Sequence, residues 1–259
     1  ANGQPLIRHA VNLIKSVGID KIVVVVGYKK EMIMDFLGDE VEYAEQAEQL
    51  GTGHAVQMAE SLLKGKADSI IVFYGDHTLW KMETVKRLME SFEDQRPTVA
   101  MLSVTFEDPN FWAFGRIIRS ENGDVCGSIE QKDCTDEQKQ IKECNPCFYI
   151  FEANWLWENI FSLQNENAQK EYYLTDIVAL AVEEMKKEIS GPVKDIKHML
   201  FLAAILSNAK GLNPAYAREV EPLLRDAIRL SPTKQILYFE LAQFYLQTGR
   251  TGETIETLR

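Results

Sequence analysis

Residues Gln46-Ala-Glu-Gln-Leu-Gly-Thr-Gly-His-Ala55 place two amides, Gln46 and Gln49, beside a Gly-Thr-Gly turn at the start of a helical stretch. A side-chain amide carries both a donor and an acceptor, so a pair of them can read the Watson–Crick edge of a base. A Gly-rich turn opening a helix lets backbone N–H groups approach a nucleotide, and it is equally ordinary turn chemistry. Tyr74-Gly75-Asp76 ends an apolar run on a carboxylate. In open α/β sheets ligands lie beyond the C-terminal strand ends, so Asp76 stands where a ligand would be met, unless it only caps the next helix. Phe114-Gly115-Arg116-Ile117, Glu130-Gln-Lys-Asp133, Asn145 and Glu171-Tyr-Tyr-Leu-Thr-Asp176 follow in order. Each is unremarkable alone on a solvated surface, and Thr175 or Asp176 suits a plain helix start. Their shared order is what carries weight.

Alternating strands and helices must position these residues. Lys21–Val26 is a β-branched run ending at Gly27, as a buried parallel strand would be. A helix is expected over Lys29–Leu37, a strand near Val41–Tyr43, a helix over Gly53–Leu63 and a strand over Ser69–Tyr74. Glu83–Glu93 reads as helix and Thr98–Val104 as strand. Short strands with a turn at Asn122-Gly123 fill Arg116 to Glu152, and helices return at Ala153–Phe161 and Thr175–Lys187. The pattern predicts an α/β domain with a largely parallel sheet over residues 1–189.

Residues 1–189 are strongly acidic, whereas residues 190–259 are slightly basic, with Ser190-Gly191-Pro192 as the joint. In the second part Ala227, Pro232, Tyr238, Leu241, Ala242, Tyr245, Gly249 and Leu258 fall at tetratricopeptide-repeat spacing. About fifty residues are covered, Thr254 stands where the repeat wants alanine, and an ordinary helical hairpin would look the same. Tyr238, Phe239, Phe244 and Tyr245 suit either a peptide groove or a core, with the core the simpler reading.

The net charge of −11 over 259 residues speaks against nucleic acid or an anionic membrane as partner. The longest purely apolar run, Met199–Leu206, is far short of the roughly 20 residues that span a bilayer. The opening residues show no signal-peptide pattern, so the cytoplasm is the expected location. Cys144-x-x-Cys147, near Cys126 and Cys134, has zinc-pair spacing. It runs into the apolar strand Phe148–Phe151 rather than a knuckle, which favours reduced free thiols.

Taken together, Gln46–Ala55 and Glu171–Asp176 resemble the uracil-reading and sugar-pocket stretches of bacterial N-acetylglucosamine-1-phosphate uridylyltransferases, over about residues 3–187. The resemblance implies a Rossmann-like nucleotidyltransferase sheet with flanking helices, here followed by a short all-α, repeat-like tail. It implies uridylyl transfer from UTP to N-acetylglucosamine 1-phosphate, giving UDP-GlcNAc, a cell-wall precursor, and pyrophosphate. Gln46, Gln49 and Thr52 would hold uracil, with Leu50, Gly51, Tyr74 and Gly75 in the same substrate pocket. Gly115, Glu130, Asn145, Tyr173 and Thr175 would hold the sugar. Asp76 would be the catalytic carboxylate and the Mg²⁺ ligand.

The chain also departs from that pattern. Gly3-Gln4-Pro5-Leu6 has neutral Gln4 where the family has a lysine, and a glutamine cannot offer a point charge to phosphate. His77-Thr78 replaces a small or apolar residue followed by proline, and Pro146-Cys147 replaces Thr-Gly after Asn145. The family's Gly-x-Gly-Thr-Arg-Met loop is not found before Gly3, nor its Val-Asn-Asn metal segment after Lys187, nor hexapeptide repeats. A fragment or fusion, or a relative that binds without turnover, would each look like this. In the second case the molecule would be a nucleotide-sugar-binding scaffold with a peptide or protein partner on its tail. Without the first strand, two sheet edges are expected to lack their neighbour.

Overall fold

Pro5, held at φ −57°, leads into a helix that the motif-led reading above leaves out, α1 (Leu6–Ser16). Its apolar residues recur at helical spacing and bury Ala10, Val11 and Ile14. The structure is a computed structural model that describes residues 3–120, 123–190, 217–230, 235–247 and 249–257. Met199–Leu206, the joint residues Gly191 and Pro192, and Asn122, Pro232 and Leu258 lie outside the described residues.

After α1 come β1 (Val23–Val26), α2 (Lys30–Leu37) and β2 (Glu42–Glu45). β1 and β2 pair in parallel, Val23 opposite Glu42 and Val26 opposite Glu45. Val11 of α1, Val24 and Val26 of β1, Leu37 and Val41 form one buried cluster, which fixes α1 and α2 on this pair. The expected single helix over 53–63 is two, α3 (Thr52–Met58) and α4 (Glu60–Leu63), hinged at Ala59.

β3 (Ser69–Phe73), α5 (Met82–Gln95), β4 (Val99–Met101) and the short β5 (Val104–Thr105) follow. Then come β6 (Gly115–Arg119), β7 (Val125–Ile129), β8 (Glu143–Asn145), β9 (Phe148–Glu152), α6 (Ala153–Asn159) and α7 (Asp176–Ser190). The strand expected over 98–104 is thus split between β4 and β5. The split lets β4 and β5 join different sheets, ordered β3-β9-β4 and β5-β8-β6-β7.

The sheet is less parallel than the alternation of elements suggests. β9 lies antiparallel between β3 and β4, with Ile71 and Ala100 both opposite Ile150. Phe148, Tyr149, Ile150 and Phe151 are almost wholly buried there. Burying each such side chain contributes about 1.5–3 kcal/mol. That hydrophobic gain, not a crossover connection, seats the strand. β1 and β3 are not paired with each other.

By compactness the chain divides into residues 1–117 with 128–180, and residues 118–127 with 181–259. In the second unit α8 (Ala217–Leu230), α9 (Gln235–Gln247) and α10 (Thr251–Thr257) follow one another. Val220, Leu224, Leu241, Phe244 and Tyr245 share one core, and Ala227 packs with Leu237, so α8 and α9 run antiparallel. Phe244 and Tyr245 are therefore core residues, while Phe239 is exposed. Tyr245 donates to Glu221 at 2.8 Å, and Arg225 and Arg250 bind the same carboxylate. Burial alone would raise Glu221, but these three partners hold it down to about 2.

Candidate active site

The two stretches singled out by sequence fold onto each other. Tyr172 N–H donates to the Leu50 carbonyl at 2.8 Å, and Gly53 N–H donates to the Tyr172 carbonyl at 2.7 Å. Leu174 N–H donates to Thr52 Oγ1 at 2.9 Å. Gly51 adopts φ +111°, and a Cβ there would lie 2.7 Å from the Tyr172 carbonyl oxygen. A Cβ on Gly53 would lie 2.5 Å from a Leu163 methyl. Both glycines are thus explained by close backbone packing as well as by conformation.

Gln46 stands just beyond β2, and its side-chain Nε2 donates to the Gly51 carbonyl at 2.9 Å and faces His54 Nδ1 at 3.0 Å. Both amide hydrogens are engaged, so the group it can offer a ligand is its amide oxygen, an acceptor. Gln49 and Leu50 are exposed beside it.

Tyr74, at the end of β3, faces Thr52, Cys147 and Glu130, and burial first, then Cys147, drives its phenol far above the ordinary range. Thr175, wholly buried, donates to Glu130 at 3.1 Å. Burial raises the Glu130 carboxyl, Thr175 opposes this, and Asp176, Asp133 and Glu171 add to it. Asp176 itself is raised to about 6, by burial and then by Asp133. The Tyr173 hydroxyl is buried with no partner in good hydrogen-bond geometry, and the nearby Asp133 carboxylate adds to burial in raising it. A buried hydroxyl left without a partner is costly, so a ligand atom beside it would relieve that cost.

Gly115 is opposite Asn145 in the β6–β8 register, and a Cβ on it would crowd Ser128 Oγ and the Ile129 carbonyl at 3.1 Å. Asn145 is wholly buried: its Nδ2 donates to Ser128 Oγ at 2.9 Å and to Tyr149 OH at 2.5 Å. Its Oδ1 accepts from Cys147 N–H at 2.9 Å. The amide therefore shapes the turn carrying Cys147, with no donor hydrogen left over. Cys147 takes the left-handed φ of +58°. Its thiol is pushed up to about 12 by burial.

Asp76 follows β3 with its side chain 71% exposed, apart from the others; its near neighbour is His77 Nε2 at 3.9 Å. No cluster of three or more His, Cys, Asp or Glu able to hold a metal occurs among the described residues. All four cysteines are free.

Several residues escaped the sequence reading. Wholly buried Arg116 donates to the Pro109 carbonyl at 2.8 Å and to the Lys139 carbonyl at 3.3 Å, clamping two loops. Ser128, Tyr149 and His54 hold predicted site residues in place. Only Arg116, beside a motif glycine, carried a local signal.

Residues 1–196 match the nucleotidyl transferase family. The chain belongs to that family. Relatives include the bifunctional protein GlmU of Exiguobacterium sp. strain AT1b, 39% identical over 181 residues, 70% of this chain and 40% of that protein. Bacillus licheniformis GlmU is 39% identical over 178 residues, 69% of this chain and 39% of its own length. GlmU of Streptococcus pyogenes serotype M6 aligns at 31% identity over 257 residues, 99% of this chain and 51% of the relative. The chain thus spans about half or less of the length of these curated relatives. A UDP-glucose pyrophosphorylase structure complexed with UDP-glucose matches at TM-score 0.56 and 16% identity, covering 71% of this chain and 76% of that chain. This establishes the mixed α/β nucleotidyltransferase fold. No helix among the described residues is long and apolar enough to cross a membrane.

Proposed function

We propose that this member of the nucleotidyl transferase family makes a nucleotide sugar, transferring uridylyl from UTP to N-acetylglucosamine 1-phosphate. The observation that supports the reading is the hydrogen bonding of residues 50–53 to 172–174, which sets side by side the two stretches whose resemblance implies base and sugar contacts. Gln46 supports uracil in particular. With both amide hydrogens engaged it can only accept, which suits the N–H of uracil and not the bare ring nitrogen of cytosine. Gln49 and Thr52 complete the base contacts. Thr175 and Glu130, with Tyr173 and the glycine of β6, border the sugar, and Asn145 acts by shaping the adjoining turn.

In the reaction a phosphate oxygen of the sugar attacks the α-phosphorus of UTP in line. The new P–O bond forms as the α–β bridge breaks, and pyrophosphate leaves with the electron pair. Asp76 is exposed enough to hold Mg²⁺ alongside waters and phosphate oxygens. When bound, the ion neutralises charge developing on the phosphates.

The test is pyrophosphate release by the purified chain with UTP, N-acetylglucosamine 1-phosphate and Mg²⁺, against CTP and against Asp76→Ala. Turnover with UTP that Asp76→Ala abolishes supports the reading. A folded protein that binds UDP-GlcNAc without turnover is a binding relative, and one that does neither refutes the proposal.

A further inference from the structure

His54 lies in the first turn of α3 and is half-buried. Its Nδ1 stands 3.0 Å from Gln46 Nε2. An amide nitrogen only donates, so Nδ1 accepts and the ring carries its proton on Nε2. The other amide hydrogen of Gln46 goes to the Gly51 carbonyl at 2.9 Å, which also accepts from Ala55 N–H at 3.1 Å. The Gln46 backbone is held separately, its N–H donating to the Val26 carbonyl at 2.8 Å.

The two anchors of the amide have different effects. The Gly51 carbonyl decides which end of the amide faces the turn, because it attracts the nitrogen and repels the oxygen. That leaves one hydrogen unassigned, and the His54 acceptor takes it. With it taken, Gln46 presents an acceptor alone. With it freed, the amide keeps a single anchor and can turn the spare hydrogen to a base as a donor. The His54 ring is in turn set against Tyr172, at 34° and 6.4 Å between centroids. Tyr172 is tied by its backbone to Leu50 and Gly53, so the two joined stretches together place the ring.

We infer that His54 is a positioning residue for base selection: by occupying the second amide hydrogen of Gln46, it makes the pocket reject a pyrimidine with a bare ring nitrogen. The inference rests on the proposed uracil role of Gln46 and adds the group that enforces it. The ring N–H of uracil meets the Gln46 oxygen, whereas the bare ring nitrogen of cytosine meets it lone pair to lone pair. A site whose polar groups are all assigned discriminates by what a wrong ligand leaves unpaired or opposed. His54 touches no ligand in this role. Ring volume alone cannot perform it, since the acceptor atom is what holds the hydrogen.

The test is binding of UTP and of CTP, each with Mg²⁺, to the full chain by isothermal titration calorimetry, which needs no turnover. His54→Phe keeps a ring and removes the acceptor, while His54→Asn keeps an acceptor near the Nδ1 position. The wild type should prefer UTP. His54→Phe should narrow that preference by about fivefold or more, the worth of one hydrogen bond, mainly by tightening CTP. His54→Asn should restore most of it. His54→Ala removes the same acceptor and takes the place of the phenylalanine variant if that one does not fold. A folded variant without the acceptor that keeps the wild-type preference, or that weakens UTP and CTP alike, overturns the inference and leaves the uracil reading standing. So does an asparagine variant as unselective as the phenylalanine one. A wild type that binds both nucleotides equally, or neither, overturns the uracil reading and this inference with it.

Discussion

The imidazole Nδ1 of His77 donates to the carbonyl oxygen of Pro146 at 3.1 Å. These residues belong to two of the places where the chain departs from the uridylyltransferase pattern, and they lie 69 positions apart. A carbonyl only accepts, so Nδ1 carries the proton and Nε2 is left toward Asp76. The ring is also wedged between Tyr74 and Phe114, with centroids 5.2 Å from each. The bond ties the segment bearing Asp76 to the turn shaped by Asn145, restoring rigidity that proline would otherwise give.

On the role proposed for Asp76, His77→Ala should lower kcat by roughly tenfold or more in a folded protein, since small misplacements of a catalytic group are costly. His77→Asn, whose amide can replace the Nδ1–H donor, should recover part of the loss. Steady-state kinetics at saturating Mg²⁺ checks this. Equal loss in both variants would mean that ring packing, and not the hydrogen bond, holds Asp76.

Gly51→Ala should unfold the pocket rather than tune it. The new methyl would meet the backbone of Tyr172 at φ +111°, where neither backbone can easily retreat. The cost should be at least about 2 kcal/mol. Urea denaturation should show the loss together with weaker UDP-GlcNAc binding. A variant as stable as wild type would mean that the 172–174 strip is not packed as described.

The α/β class and most element positions were legible in the sequence, because strand runs and turn glycines are local signals, and so were the two stretches, Gln46–Ala55 and Glu171–Asp176, that the fold hydrogen-bonds together. The sequence did not show how chemistry is shared among the site residues. The resemblance proposes Asn145 as a sugar contact, yet its amide hydrogens are taken by Ser128 and Tyr149, which only folding brings near. α1 holds none of the motif residues, and its signal is the helical spacing of Ile7, Val11 and Ile14 alone. The antiparallel insertion of β9 is likewise a matter of tertiary packing, since an all-apolar strand reads the same in either direction.

Cys147 is a non-glycine residue at φ +58° where the resembled family has glycine. A side chain in the left-handed region costs about 1–2 kcal/mol. Cys147→Ala keeps this strain and loses the packing of a thiol that is nearly fully buried. Cys147→Gly loses slightly more packing but removes the strain. The glycine variant should therefore be at least as stable as the alanine variant, contrary to the usual order. Melting temperatures of the two decide it, and a glycine variant lower by several degrees would show the turn to be unstrained.

Asp176 couples stability to pH with a sign opposite to that of a salt-bridged carboxylate. Burial, reinforced by Asp133, raises it from 3.8 to about 6. The folded protein therefore binds this proton more tightly than the unfolded chain does. The stability it contributes is full below about 3.8 and is lost as pH rises through about 6. Asp176→Asn keeps the shape and removes the ionisation. It should change stability little near pH 4 and stabilise the fold at pH 7 by up to roughly 3 kcal/mol, the full value of such a shift. Part of the pH slope should persist in the variant, because Glu130 is raised in the same direction. Urea unfolding of both proteins at pH 4 and pH 7 measures the difference. A stabilisation of equal size at both would show that the substitution acts through packing rather than through the proton.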